Sequence, residues 1–318
     1  EADAPVYFAT FHAAFYRILR WEKHVAEGGV LSQTDKKKWI RELYLAETKQ
    51  QAAEDELVRE LADELAACKI KGKGTSSWQA KSCGQEVFSR VYLAYQDWLQ
   101  TSGRVDFEDM LIRTDALLRM DPGALSRWQD RYPYILVDEF QDINGLQYQI
   151  VKHLAGRSRN LFVVGDDDQS IYRFRGAAPD IMAEFVKDYP DAARYSLFGC
   201  YRCGQEILAC CSRLIAHNTK RFPKDLISLS KRGNMPVLRA YRDGTAQRTA
   251  MLEDIERLHR KGISYGEMAV LCRTGLQLAG LQAFFKQRGI PLESREPLQS
   301  IWRRSEVQDM LAYLMVVS

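Results

Sequence analysis

The sequence lacks any apolar segment of membrane-spanning length. Among its 318 residues there is no run of about eighteen or more consecutive apolar side chains, which excludes a typical transmembrane helix. The first residues, EADAPVYFAT, also lack the basic segment and long apolar stretch of a secretory signal. We therefore expect a cytoplasmic protein with no membrane partner.

Cysteine is too irregularly spaced to form a disulfide framework. The chain has seven cysteines, an odd number, and is long enough to hold a core without covalent staples. One cluster, Cys200 and Cys203 followed by Cys210, Cys211 and His217, offers ligands for a metal. A second spaced pair, typical of zinc sites, is missing. We interpret the cysteines as small, mostly buried apolar residues, and metal binding stays open as the alternative.

A large excess of charge of one sign is also absent. The net charge is +3 and the isoelectric point about 8.4, so the overall charge does not indicate a polyanionic partner. Any argument for nucleic-acid binding has to come from local motifs. Core-forming material is abundant, because 46% of the residues are hydrophobic, which is enough for two globular domains.

The first part of the chain predicts a strand, a helix and then a helical insertion. Residues 6–10, VYFAT, have the composition of a short strand, and the following FHAAFYRILRW has apolar side chains at helical spacing. Residues 22–100 are charged and helical, with one basic interruption, KIKGKGTSS. Asp106 has the side chain of a helix cap, and the helix that it begins ends at DPG.

Later segments predict parallel sheets. Residues 134–139, YILVDE, and 160–166, NLFVVGD, contain continuous apolar runs, which are typical of strands buried on both faces, and the helical LQYQIVKHLAG separates them. Beyond Pro179, the segments RYSLF, PVLRAY and EMAVLC predict further strands that alternate with helices. This alternation predicts a second α/β domain, beginning between residues 190 and 200.

Acidic residues follow both of the first two apolar strands. Asp138 and Glu139 end one strand, and GDDDQ, from Gly165 to Gln169, ends the next. Ligands of parallel sheets bind at the carboxyl ends of strands, where carboxylates can hold Mg²⁺ and activate a water molecule. Acidic turn residues are common after strands, so a purely structural role is the alternative for either motif taken alone.

The residues after GDDDQ combine aromatic and basic side chains. In QSIYRFRGA, Tyr172, Phe174 and Arg175 follow one another closely. They are either core and solvated surface, or a platform on which the bases of single-stranded nucleic acid stack. Their position beside the acidic motifs favours base stacking.

Taken together, these motifs resemble a known family. VDEFQD, VGDDDQSIYRFRGA, TFHAAFYRILR and YRC, in this order and spacing, are similar to motifs of the UvrD/PcrA/Rep-type superfamily 1 DNA helicases. The segments YQDWLQTSGRVDFEDML and SEVQDMLAYLMVVS resemble that family too. The resemblance implies an ATP-dependent helicase that translocates 3′ to 5′ on single-stranded DNA and acts at junctions of single and double strands.

The fold implied by the resemblance is α/β: a RecA-like parallel-sheet motor domain with a helical inserted subdomain, followed by the first half of a second RecA-like domain. The implied boundaries are residues 1–21 and 106–195 for the first motor domain, 22–105 for the inserted subdomain, and 196–318 for the second motor domain.

The resemblance also implies roles at an ATP and Mg²⁺ site. Asp138 would hold Mg²⁺, and Glu139 would orient or deprotonate the attacking water. Gln169 would sense the γ-phosphate, Tyr201 would lie against the adenine, and Arg202 would reach the γ-phosphate as an arginine finger.

DNA-contacting residues are implied in the same way. Phe174 would stack on a base with Tyr172 and Arg175 beside it, while Thr10 and His12 would contact the DNA backbone. A lone histidine after a strand is more often only hydrogen-bonded, which is the alternative for His12.

The sequence departs from the family pattern in two respects. No G-x-x-x-x-G-K-S/T loop occurs, so the chain resembles an internal piece of a longer helicase, and we expect this piece alone to be inactive. Cys200 and Cys203 stand where the family more often has Asn and Ser or Thr. Two alternatives remain: a non-catalytic DNA-binding scaffold derived from a helicase, and the motor part of a helicase-nuclease.

Overall fold

The computed structural model describes residues 6–72, 74–171, 180–230, 233–294, 307 and 310–314. The chain divides into two compact units, one with residues 1–203 and 211–230, the other with residues 204–210 and 231–318. Helices predominate in the described ranges, and two short parallel sheets accompany them. No helix within these ranges combines the length and apolar character needed to cross a membrane.

The helices predicted from the sequence are confirmed, and α1 has the predicted limits. The helices with defined limits are α1 (Phe11–Trp21), α2 (Gln33–Thr48), α3 (Asp55–Ile70), α4 (Gln85–Thr101), α5 (Phe107–Met120), α6 (Pro122–Arg131), α7 (Gly145–Ala155), α8 (Ile181–Asp188), α9 (Gln205–Ile215), α10 (Gly244–Arg260) and α11 (Gly275–Gln287), and the described residues 310–314 are helical too. The strands there are β1 (Ile135–Val137), β2 (Leu161–Val163), β3 (Gly199–Cys200) and β4 (Ile227–Ser228).

One hydrophobic core lies between α1, α5, α6 and α7. On α1, Phe15, Ile18 and Leu19 recur at helical spacing, and all three are buried. Trp128 of α6 and Leu154 of α7 pack into the same core. The amphipathic pattern visible in the sequence therefore becomes the face through which α1 packs on its neighbours.

The insertion formed by α2, α3 and α4 has a hydrophobic core of its own. Its two ends meet at an isolated parallel bridge between Val30 and Val105. There the Leu31 N–H donates to the Val105 carbonyl at 2.8 Å, and the Val105 N–H donates to the Gly29 carbonyl at 2.9 Å. The first and last residues of the helical insertion therefore lie next to each other.

Five charged side chains cluster where α2, α3 and α5 meet. Asp106 caps α5, as predicted, by accepting the Asp109 N–H at 2.8 Å. The buried ammonium groups of Lys69 and Lys36 lie 2.9 Å and 3.6 Å from its carboxylate, and Lys36 also pairs with Glu108. Burial opposes ionisation of Asp106, but the two lysines hold its pKa at about 2. The cap is therefore also the centre of a buried ionic network.

β1 and β2 form a parallel pair, as predicted, with Val137 opposite Val163. The expectation that both faces are buried is wrong. Leu136 and Phe162 are 71% and 57% exposed, whereas Val137 belongs to a core formed with α7 and α8. Successive strand residues point to opposite faces, and in the described chain only one face is covered by helices.

Four predicted strands are not formed in the described residues. Residues 6–10, 194–198, 236–241 and 267–272 do not form strands, although β3 begins at Gly199, directly after RYSLF, and the Phe198 carbonyl accepts the Ile227 N–H at 2.8 Å. Leu238 and Leu271 are 99% and 94% exposed. A strand exists only when another strand pairs with it, so strand-like composition does not by itself create one.

The expectation that the cysteines are mostly buried is also wrong. Cys68 is buried, Cys210 and Cys211 are exposed, and the remaining four cysteines are half-buried; all seven are free thiols. No group of three or more histidine, cysteine or acidic side chains able to hold a metal is found in the part of the chain that the structure describes.

Candidate functional site

The ends of β1 and β2 bring the two acidic motifs together. Because the strands are parallel and in register, Asp138 and Gly165 leave the sheet at the same edge. The Val164 N–H donates to the Val137 carbonyl at 2.8 Å, and the Phe140 N–H donates to the Val164 carbonyl at 2.9 Å. This confirms that the two motifs follow neighbouring strands.

Gln141 connects the two motifs directly. Its Nε2 donates to Oε2 of Glu139 at 2.7 Å, and its Oε1 accepts the Asp166 N–H at 2.9 Å. The Gln141 side chain is only 2% exposed, whereas the Glu139 carboxylate that it holds is exposed. The backbone of Glu139 is left-handed, with φ of 50°, a conformation that non-glycine residues seldom adopt. Gln141 therefore fixes the Glu139 carboxylate, a role that the sequence pattern did not reveal.

Gly165 allows the backbone of the second motif to approach the Gln141 side chain closely. A Cβ atom at position 165 would lie 2.8 Å from Oε1 of Gln141 and 3.2 Å from Sδ of Met182. Both distances are shorter than ordinary contacts, so the backbone of the second motif can approach Gln141 only without a side chain.

The three carboxylates of the second motif contact two cations of a loop that follows α9. Nζ of Lys224 contacts Asp166, Asp167 and Asp168, and Nε of Arg221 donates to Oδ1 of Asp168 at 2.8 Å. The hydrogen bond from Arg221 holds the pKa of Asp168 below its usual value. Lys224 and Arg221, which we call the clamp, therefore hold the acidic turn in place. The sequence pattern did not indicate either residue.

Within this clamp, Gln169 is held at the end of the turn. Asp167–Gln169 forms one turn of 3-10 helix, and Nε2 of Gln169 donates to Oδ2 of Asp166 at 2.8 Å. Asp166 in turn bonds to Gln141 through its N–H and to Lys224 through its carboxylate. One chain of contacts therefore runs from Glu139 through Gln141 and Asp166 to Gln169.

The donor set at the end of β1 fits a hard divalent cation. Asp138 is exposed, and its Oδ1 accepts the Glu139 N–H at 2.9 Å. Oδ1 of Asp142 is buried without a hydrogen-bond partner, and burial and then the charge of Glu139 raise the pKa of this carboxyl group. Mg²⁺ commonly takes one or two carboxylates and completes its shell with phosphate and water, so the exposed Asp138 carboxylate can serve as its protein ligand.

Tyr201 and Arg202 lie on an exposed loop between β3 and α9. The residues on either side of them are anchored to β4 and the residue after it: the Cys200 carbonyl accepts the Leu229 N–H at 2.8 Å, and the Cys203 carbonyl accepts the Ser228 hydroxyl at 2.8 Å. In the described chain, no hydrogen bond or ion pair joins Tyr201 or Arg202 to Asp138, Glu139 or Gln169.

The predicted DNA contacts are only partly described. Thr10 caps α1 by accepting the Ala13 N–H at 3.3 Å. The His12 ring meets Phe107 edge to face at 4.9 Å, and burial lowers its pKa. The other three predicted residues lie outside the described residues: Tyr172, Phe174 and Arg175.

Two known protein domains match consecutive parts of this chain. Residues 4–190 match the UvrD/REP helicase N-terminal domain, and residues 195–318 match the UvrD-like helicase C-terminal domain. The two matches together cover nearly the whole chain.

Individual relatives carry helicase names. "ATP-dependent DNA helicase PcrA" of Leuconostoc citreum is 38% identical over 242 residues, which is 75% of this chain and 32% of the relative. PcrA of Staphylococcus epidermidis is 31% identical over 324 residues, 100% of this chain and 44% of the relative. "Putative ATP-dependent DNA helicase YjcD" of Bacillus subtilis is 32% identical over 308 residues, 96% of this chain and 40% of the relative. The chain spans less than half the length of these relatives. Because the two domain matches cover nearly all of it, the chain belongs to the UvrD/REP helicase family.

Proposed function

We propose that the protein containing this chain is an ATP-dependent DNA helicase that translocates 3′ to 5′ on single-stranded DNA, with junctions of single and double strands as its substrates. Family membership and the helicase names of its relatives support the class of activity. The observation that carries the proposal is the buried side chain of Gln141, which joins Glu139 of the first motif to Asp166 of the second through two hydrogen bonds.

The β1 edge suits hydrolysis of ATP. Asp138 would hold Mg²⁺, which neutralises charge on the phosphates when bound. Glu139, oriented by Gln141, accepts a proton from the attacking water. Gln169 responds to the γ-phosphate, and its link to Asp166 carries a change there back to Gln141.

The exposed loop after β3 supplies the remaining ATP contacts in this proposal. The Tyr201 ring packs on the adenine, and the Arg202 guanidinium stabilises negative charge that develops on the γ-phosphate. Exposure of both side chains supports this assignment, because each is available to a ligand. Both belong to the first part of a second RecA-like domain, residues 196–318.

On the DNA side, Phe174 stacks on a base, flanked by Tyr172 and Arg175, and Thr10 and His12 contact the backbone of the strand. The first RecA-like domain then comprises residues 1–21 and 106–195, interrupted by the helical subdomain of residues 22–105.

The test is ATP hydrolysis by the full-length protein with single-stranded DNA and Mg²⁺. Glu139→Gln should abolish steady turnover and preserve DNA binding. Arg202→Ala should lower kcat by about 10³-fold, the lower end of the effect of an arginine finger. Arg202→Lys should not restore it, because lysine cannot reproduce the planar guanidinium.

Arg213→Ala is the matched control, since Arg213 is exposed on α9 and should be dispensable. A tailed duplex with a single-stranded 3′ end should be unwound, and one with a 5′ end should not. Full ATP turnover by Glu139→Gln would contradict the proposal, and DNA binding without turnover in the wild type would favour the scaffold. The 318-residue chain alone should not turn over ATP, because it has no G-x-x-x-x-G-K-S/T loop.

A further inference from the structure

Two thiols lie side by side next to the proposed ATP-contacting loop. The sulfur atoms of Cys200 and Cys203 are 3.8 Å apart, and the residues between them are Tyr201 and Arg202. Both cysteines are half-buried free thiols, so small molecules in solution can reach them. The proposed function assigns no role to either thiol.

The backbone holds this pair in position. The carbonyl of Cys200 is bonded to the Leu229 N–H, and that of Cys203 to the Ser228 hydroxyl, both at 2.8 Å. Two adjacent residues at the end of β4 therefore anchor both cysteines, while Tyr201 and Arg202 between them stay exposed. This anchoring keeps the two sulfurs facing each other without a covalent bond.

The two thiols differ in reactivity. The backbone N–H groups of Cys203 and Arg202 lower the pKa of Cys200, because they stabilise its thiolate. Desolvation, and then the neighbouring Cys200, raise the pKa of Cys203. Cys200 therefore ionises more readily than Cys203, which suits an attacking cysteine beside a resolving cysteine.

We propose that Cys200 and Cys203 form a reversible dithiol–disulfide site, oxidised by low-molecular-weight disulfides such as oxidised glutathione. Among the described residues, these two cysteines do not belong to any cluster of three or more side chains that could hold a metal ion. Cys210 and Cys211, the other members of the cysteine cluster, are exposed on α9.

The reaction balances as a thiol–disulfide exchange. The Cys200 thiolate attacks one sulfur of oxidised glutathione, which breaks the glutathione S–S bond and releases one glutathione thiolate. Cys203, after losing its proton to solvent, attacks the Cys200 sulfur of the mixed disulfide and releases the second glutathione. The protein loses two hydrogen atoms, and the glutathione disulfide is reduced to two thiols.

Oxidation should alter the loop that the thiols flank. An S–S bond is about 2.0 Å long, so the sulfurs must approach each other by about 1.8 Å. The residues that have to adjust are Tyr201 and Arg202. This consequence rests on the proposed function, in which Tyr201 and Arg202 contact ATP. A misplacement of about 1 Å at such a site can reduce the rate on the order of 10²-fold.

The first test is chemical and independent of activity. The full-length protein is treated with oxidised glutathione and digested with trypsin, which cleaves after Arg202 and separates the two cysteines. The expected product is peptide 195–202 linked by a disulfide to peptide 203–213, with Cys200 bonded to Cys203 in the fragment spectrum. It should persist in the Cys210→Ser/Cys211→Ser double variant and be absent from Cys203→Ser. Absence of the linked peptide from the wild type would overturn the site.

The second test is ATP hydrolysis by the same samples. The oxidised wild type should lose about 10²-fold in kcat. Dithiothreitol should restore the rate. Cys200→Ser should be active and insensitive to oxidised glutathione, whereas Cys203→Ser should be active when reduced and should stop at the mixed disulfide of Cys200 with glutathione. A linked peptide with unchanged turnover would refute the effect on the loop, as would an equal loss of turnover in oxidised Cys200→Ser, which lacks the attacking thiol. Full activity of Arg202→Ala would instead refute the proposed function and leave the disulfide chemistry standing.

Discussion

Lys224→Met tests the clamp on the acidic turn. The Nζ atom of Lys224 contacts the carboxylates of Asp166, Asp167 and Asp168, and its side chain is only 17% exposed. Methionine keeps most of the apolar stem and removes the charge. Arg221 would then be the one clamp cation left facing three carboxylates in the described structure.

The size of the effect follows from the partial burial of the cluster. Removing one partner of a buried ion pair costs about 3–5 kcal/mol. An exposed pair contributes about 0–1 kcal/mol. The side chains of Lys224, Asp167 and Asp168 are mostly shielded, but that of Asp166 is one-third exposed. We therefore expect Lys224→Met to lower the free energy of unfolding by about 1–3 kcal/mol at pH 7.

This loss should depend on pH in a defined direction. Desolvation opposes ionisation of Asp166, but the hydrogen bond from Lys224 outweighs it, and the pKa of Asp166 is lowered. The hydrogen bond from Arg221 lowers the pKa of Asp168. A carboxyl group with a depressed folded-state pKa stabilises the fold above its ordinary pKa of about 3.9. That stabilisation is lost as the pH falls through the folded-state pKa. The difference between wild type and Lys224→Met should therefore be smaller at pH 3 than at pH 7.

Urea denaturation of the chain at the two pH values measures both quantities. Lys152→Met is the matched control, because Lys152 pairs with Asp188 at 3.0 Å on a more exposed surface. It should cost less than about 1 kcal/mol. The clamp would be refuted if Lys224→Met cost no more than the control at pH 7, or if its cost were undiminished at pH 3.

Two further substitutions probe the cap network and the close approach of the strand ends. Asp106→Asn should destabilise the chain by about 3–5 kcal/mol because it leaves two buried lysines poorly compensated. Asp130→Asn, in an exposed pair, should cost less than about 1 kcal/mol; equal losses in thermal unfolding would contradict the network. Gly165→Ala should cost about 1–3 kcal/mol by displacing Gln141. Gly280→Ala, with open space around its Cβ, should not destabilise, and equal stability of both alanine variants would argue against a tight approach.

Local signals in the sequence determined the helices and the two central strands. The limits of α1 follow from its apolar spacing, and the start of α5 follows from Asp106, whose side chain bonds to a backbone group three residues away. Neighbouring apolar strands, each followed by acidic residues, placed Asp138 and Gln169 near one sheet edge. Such signals can be read from sequence because the interacting groups lie within a few residues, or on consecutive strands, of one another.

Tertiary structure alone decided which groups complete the site and which apolar segments become strands. Arg221 is 53 residues from Asp168, and Lys224 is 58 residues from Asp166, so no local pattern relates them. The burial of Gln141 depends on how closely the second strand approaches, and the residues around Leu238 stay unpaired despite strand-like composition. Charge pairing, strand pairing and burial are properties of two distant segments together, and only the folded chain specifies which segments meet.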